Sequence, residues 1–160
     1  MTFPKSVGQI PFAFPFKPGS DESSETSVYG ALYPFGHGLS YTTFQYSDLA
    51  ISPSKQGVQG NISISCTIKN IGQREGDEVV QLYLRDEVSS VTTYTQVLRG
   101  FERITLKPEA SHTVHFELTP QELGIWDKQM NFTVEPGMFK VMIGSSSKDI
   151  RLKGEFEIAQ

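Results

Sequence analysis

A length of 160 residues is about one domain and leaves room for a sizeable hydrophobic core. Eighteen acidic against fourteen basic side chains give a formal charge of −4, and the basic residues are scattered, so no electrostatic footprint for nucleic acid or an anionic membrane is present. No apolar run approaches the roughly 20 residues that span a bilayer, and the opening MTFPKSVGQIPF lacks a signal peptide's basic start and unbroken apolar segment.

Residues 1–30 read as irregular chain followed by a linker. Pro4, Pro11, Pro15 and Pro18 interrupt any regular element, and SDESSETS (20–27) is polar and acidic. The same stretch carries Phe3, Ile10, Phe12, Phe14 and Phe16, an apolar load that needs a surface to lie on. Those rings either wrap the domain that follows or belong against a neighbouring one. Next comes YPFGHGLSYTTF (33–44), with its aromatics and two glycines around His37.

From Phe44 the chain alternates polar and apolar residues in short runs, which is the period of a half-buried strand. Seven such runs occur: FQYSDLAIS, NISISCTIKN, DEVVQLYLRD, QVLRGFERI, HTVHFEL, MFKVMIG and RLKGEFEI. In the second, Ile62, Ile64, Cys66 and Ile68 share one face. In the third, Val80, Leu82 and Leu84 are set against Gln81, Tyr83 and Arg85, the expected outward face. NIGQREGD, LKPEAS and GSSSKD supply turns between strands. TPQELGIW suggests one helical turn holding Trp126, capped by Thr119 with Pro120 at its first position. The pattern predicts an all-β, immunoglobulin-like antiparallel sandwich. Because Cys66 is the single cysteine, no disulfide joins the sheets and the fibronectin type III style is the nearer match; without a Cys or His cluster a structural zinc site is also excluded.

The residue types that usually carry chemistry form no catalytic set. His112 and His115 lie three apart on one strand and so face opposite ways. Gly-His-Gly-Leu-Ser around His37 is not the GxSxG elbow of a hydrolase, and a hydrogen bond or packing role suits His37 better. Glycoside hydrolysis needs two acids about 5–10 Å apart across a cleft, whereas the pairs Asp77-Glu78 and Asp86-Glu87 fall at strand ends, where water is expected to solvate both members. Asp127 suits a turn cap. The glycines precede no helix that would make a phosphate site, so catalytic, cofactor and metal residues are expected to be none. Tyr94, in the polar loop VSSVTTYTQ, and Trp126 are the two candidates for a sugar-stacking platform.

Five ordered motifs now carry a resemblance: PFGHGLSYTTF (34–44), GDEVVQLYLRD (76–86), VLRGFERITLKPEAS (97–111), ELGIWD (122–127) and VEPGMFKVMIGSSS (134–147). Together they closely resemble the C-terminal fibronectin type III-like domain of glycoside hydrolase family 3, the β-glucosidases and β-xylosidases. TFPKSVGQIPFAFPFKP (2–18) is similar to the end of that family's second, α/β sandwich domain. The resemblance implies a division into residues 1–30, the remnant of a preceding domain plus linker, and 31–160, the sandwich. It places the nucleophilic aspartate on the family's barrel domain and the acid/base glutamate on its α/β sandwich domain, so no residue here inherits either role. It makes Tyr33, Phe35, Gly36, His37, Gly38 and Tyr41 an interdomain junction and the barrel and α/β sandwich domains the partners, in cis or in trans. Polysaccharide is a further candidate partner, and the family is often periplasmic or extracellular. The expected role is a non-catalytic accessory domain; the alternative is a stand-alone polysaccharide- or protein-binding module. On the first reading Phe12, Phe14 and Phe16 should be unusually exposed in this chain.

Overall fold

The computed structural model describes residues 3–8, 14–18 and 30–160. In chain order the elements are β1 (Phe3–Pro4), β2 (Ala31–Tyr33), β3 (Phe44–Ser52), β4 (Lys55–Gly57), β5 (Ile62–Asn70) and β6 (Gly76–Asp86). Then follow β7 (Val97–Leu106), β8 (Ser111–Leu118), the one-turn helix α1 (Pro120–Leu123), β9 (Ile125–Trp126), β10 (Phe132–Thr133), β11 (Gly137–Gly144) and β12 (Ile150–Ala159). All seven strands expected from alternation are present, as β3, β5, β6, β7, β8, β11 and β12.

They form two layers. One sheet has the order β3-β5-β8 and the other β4-β12-β11-β6-β7; every pairing is antiparallel except β12 with β4. The fold is therefore the all-β, fibronectin type III-like sandwich that the pattern implied. Its core is built as period-two logic requires: Ile62, Ile64, Cys66 and Ile68 of β5 are sealed from solvent in one cluster with Val80, Leu82 and Leu84 of β6 and Phe139, Val141 and Ile143 of β11. The rings of Phe139 and Phe156 stack at 5.4 Å between neighbouring strands. A one-residue slip of any of these strands would turn its apolar set to water, so the burial fixes the register.

Polar side chains fasten the ends of the sheets. Asn70, fully buried at the end of β5, donates to the Arg74 carbonyl at 2.7 Å and the Leu106 carbonyl at 2.8 Å. Its own oxygen accepts from the Thr42 hydroxyl at 2.7 Å and the Gly72 amide at 3.0 Å. One side chain thus ties the β5–β6 turn, the end of β7 and the segment leading into β3. At α1, Thr119 and Glu122 form the reciprocal capping box that satisfies the helix's first amides, as Thr119 and Pro120 foretold.

Three expectations are corrected. Gln81 and Tyr83 do not face solvent: both are buried, because Phe14 meets the Tyr83 ring edge-on at 5.8 Å and Gly36 lies against the Gln81 amide. Phe14 and Phe16 are accordingly half-buried and not exposed; Phe12 lies outside the described residues. Trp126 is not in the helical turn, since the helix ends at Leu123 and Trp126 sits in β9, paired with Phe132 of β10.

Candidate functional site

The segment 33–41 has an inner and an outer side. On the inner side Phe35 stacks on Phe14 at 4.5 Å, so that Phe35, Phe14 and Tyr83 form a continuous aromatic column from the junction onto β6. The backbone at Gly36 then turns with φ +78°, and a Cβ built there would lie 2.0 Å from Gln81 Oε1. Glycine is required on both counts. The close approach is used: Gln81 Nε2 donates to the Gly36 carbonyl at 3.0 Å and to the Ser145 carbonyl at 2.7 Å, while Gln81 Oε1 accepts from the Tyr83 hydroxyl at 2.5 Å. The Ser147 amide donates to the Phe35 carbonyl at 2.9 Å, and the Ser147 carbonyl accepts from Gln96 at 2.7 Å. These bonds latch the junction to β6 and to the β11–β12 turn. Burial pushes the Tyr83 phenol well above its usual range, keeping it a neutral donor.

The outer side is different. The Tyr33 ring stacks on His37 at 5.1 Å and takes the edge of Phe3 at 6.0 Å, and the His37 amide closes its turn onto the Pro34 carbonyl at 3.1 Å. Beyond this ladder Gly38 is exposed, Leu39 is 94% exposed and Tyr41 90%. Of the six junction residues read from the sequence, Phe35 and Gly36 hold the sandwich while Tyr33, His37, Gly38 and Tyr41 are exposed. Gln81, Tyr83 and Ser147, which complete the latch, were not among them. A signal for two of these existed: VVQLYL is nearly a continuous apolar run, which marks a strand covered on both faces.

The two acidic pairs are each drawn apart, and their environments correct the expectation of full solvation. Asp77 accepts from Arg103 and, at 2.5 Å, from Thr105, and these bonds hold its carboxyl below the usual range. Glu78 beside it is half-buried and pushed upward by burial. Likewise Glu87 is held down by Lys140 at 2.8 Å with Arg85 at 3.0 Å, whereas burial raises Asp86. Asp127 caps the β9–β10 turn, accepting from the Gln129 and Asn131 amides at 2.8 Å each. His112 faces Glu102 at 3.5 Å, and the described residues contain no cluster of three or more His, Cys, Asp or Glu that would hold a metal ion.

Tyr94 and Trp126, far apart in sequence, come together. They line one cavity of about 270 Å³, with Asp86, Arg99 and Glu122 between them.

Residues 78–147 match the family model of a fibronectin type III-like domain. Among characterised proteins, a periplasmic β-glucosidase of Salmonella typhimurium is 41% identical over 99% of this chain, and a β-xylosidase of Formosa agariphila 42% identical over 96%. The chain spans 22% of the length of each. Among solved structures, the β-glucosidase of Listeria innocua bound to glucose superposes with a TM-score of 0.88 at 30% identity, covering all of this chain and 24% of that one. A β-glucosidase from Erythrobacter marinus gives 0.92 at 34% identity, covering 99% of this chain and 21% of its own.

Proposed function

The chain belongs with the C-terminal, fibronectin type III-like part of the glycoside hydrolase family 3 β-glycosidases, and on that premise we propose that it serves the catalytic domains of a β-glucosidase or β-xylosidase as a non-catalytic brace. The observation that carries this reading is the two-sided junction. Its inner side is latched to the sandwich through Phe35, Gly36 and Gln81, while its outer side presents Tyr33, His37, Leu39 and Tyr41 with their apolar surface open. Exposed aromatics and aliphatics on a ledge are the composition of a docking face, where a partner regains the free energy of covering them. In this reading the partners are the barrel and α/β sandwich domains, which supply the nucleophile and the acid/base, and a polysaccharide chain reaching them is the further partner. The brace holds their relative placement by burying surface, and Gly36, with its left-handed backbone, lets the connection turn sharply onto the ledge.

The test is hydrolysis of 4-nitrophenyl β-D-glucopyranoside and β-D-xylopyranoside by the purified chain alone. No turnover above the uncatalysed rate is expected. Turnover that survives repurification and falls when Glu78 or Asp86 is changed to its amide would overturn the reading.

A further inference from the structure

We propose that the cavity between the 91–97 loop and β9 is a carbohydrate-binding subsite that takes one neutral pyranose ring, stacked against Trp126. It is a built concavity of about 270 Å³, open to solvent at Tyr94 and Trp126 and backed by the core residues Leu84 and Phe139. Trp126 offers the platform: it is 59% exposed, and Phe132 meets it edge-on at 5.5 Å, which steadies the indole. The opposite wall is equally fixed. The Lys17 ammonium lies 5.9 Å over the Tyr94 ring, and the Phe16 carbonyl accepts from both the amide and the hydroxyl of Thr95, at 2.9 and 3.1 Å.

The polar groups define the ligand class. The lining holds two cations, Lys17 and Arg99, and two carboxylates, Asp86 and Glu122, so its formal charges cancel and favour neither an anion nor a cation. Planar guanidinium and carboxylate groups beside an aromatic face match a ligand with an apolar C–H surface and a rim of hydroxyls, which is the chemistry of a sugar ring. Arg99 is half-buried among these groups, within electrostatic reach of Glu122.

This inference rests on the glycosidase reading only for the choice of sugar, and binding is measured on the chain itself, so either can fail without the other. The experiment is a two-dimensional amide NMR titration of the 160-residue chain with methyl β-D-glucopyranoside and methyl β-D-xylopyranoside, with glycerol and glucuronate as comparisons. Saturable shifts confined to residues 91–99 and 122–127 are expected with at least one pyranoside and not with glycerol. Trp126→Ala and Tyr94→Ala, on separate segments, should each weaken binding about ten-fold while leaving the melting temperature of the sandwich in place. No saturable shift with either pyranoside, shifts centred elsewhere, unchanged affinity in both variants, or tighter binding of glucuronate would each overturn the proposal.

Discussion

Replacing Gly36 by alanine tests whether the junction is fastened to the sandwich by the contacts described. Two costs arise. The backbone sits at φ +78°, where an L side chain is disfavoured by about 1–2 kcal/mol. The new methyl would also fall 2.0 Å from Gln81 Oε1, so the Gln81 amide must move. That amide is buried and bonded to the Gly36 and Ser145 carbonyls and the Tyr83 hydroxyl, and leaving such groups unpaired costs about 1–3 kcal/mol. The sum is about 2–5 kcal/mol. A chain of this size loses about 2–4 °C of Tm per kcal/mol, so a drop of about 4–20 °C should appear by circular dichroism. The Phe35 and Gly36 segment could instead lift away, which caps the loss at its own docking free energy and exposes Tyr83 to quenchers of tyrosine fluorescence. Pairing the change with Gln81→Ala, which removes the obstructing amide, should make the double variant less destabilised than the sum of the singles. A Gly36→Ala protein within about 0.5 kcal/mol of the parent would refute the latch.

Asn70→Ala strands the Arg74 and Leu106 carbonyls, the Gly72 amide and the Thr42 hydroxyl, and urea unfolding should show a loss of about 2–4 kcal/mol. Cys66 is sealed in the core and burial pushes its thiol up to about 11, so labelling by a disulfide reagent at pH 8 should proceed at the rate of global opening and accelerate with urea. Arg151 holds the Asp149 carboxyl below its usual range through bonds at 2.5 and 2.7 Å. A depressed carboxylate contributes stability above its unfolded pKa of about 3.9 and loses it as pH falls through the lower folded value. Asp149→Asn should therefore lower the urea midpoint at pH 7, and the difference from the parent should vanish toward pH 2.

The sandwich was legible in the sequence because its strands obey strict alternation: in β5 and β11 each apolar residue at the expected parity is buried, and local pattern and global packing agree. The outer face of β6 was not legible in the same way. Gln81 and Tyr83 occupy polar parity, and what covers them is Gly36 and Phe14, brought over from segments 45 or more positions away by contacts that no period within β6 encodes. The junction residues could be named from YPFGHGLSYT, but their division into latch and ledge depends on which way Gly36 turns the backbone. The shared cavity of Tyr94 and Trp126 lay beyond reach for a similar reason, since it joins the irregular 91–94 loop to the end of α1 and to β9, a two-residue strand too short to show a period.

The brace is tested most directly by mixing the chain with the catalytic portion of the Salmonella β-glucosidase expressed without the region this chain matches, and following amide hydrogen exchange. The account predicts a complex in which residues 32–41 of this chain gain protection, and in which Leu39→Asp with Tyr41→Asp abolishes both the complex and the protection. No association, or association that protects only other residues and ignores the double variant, would contradict it.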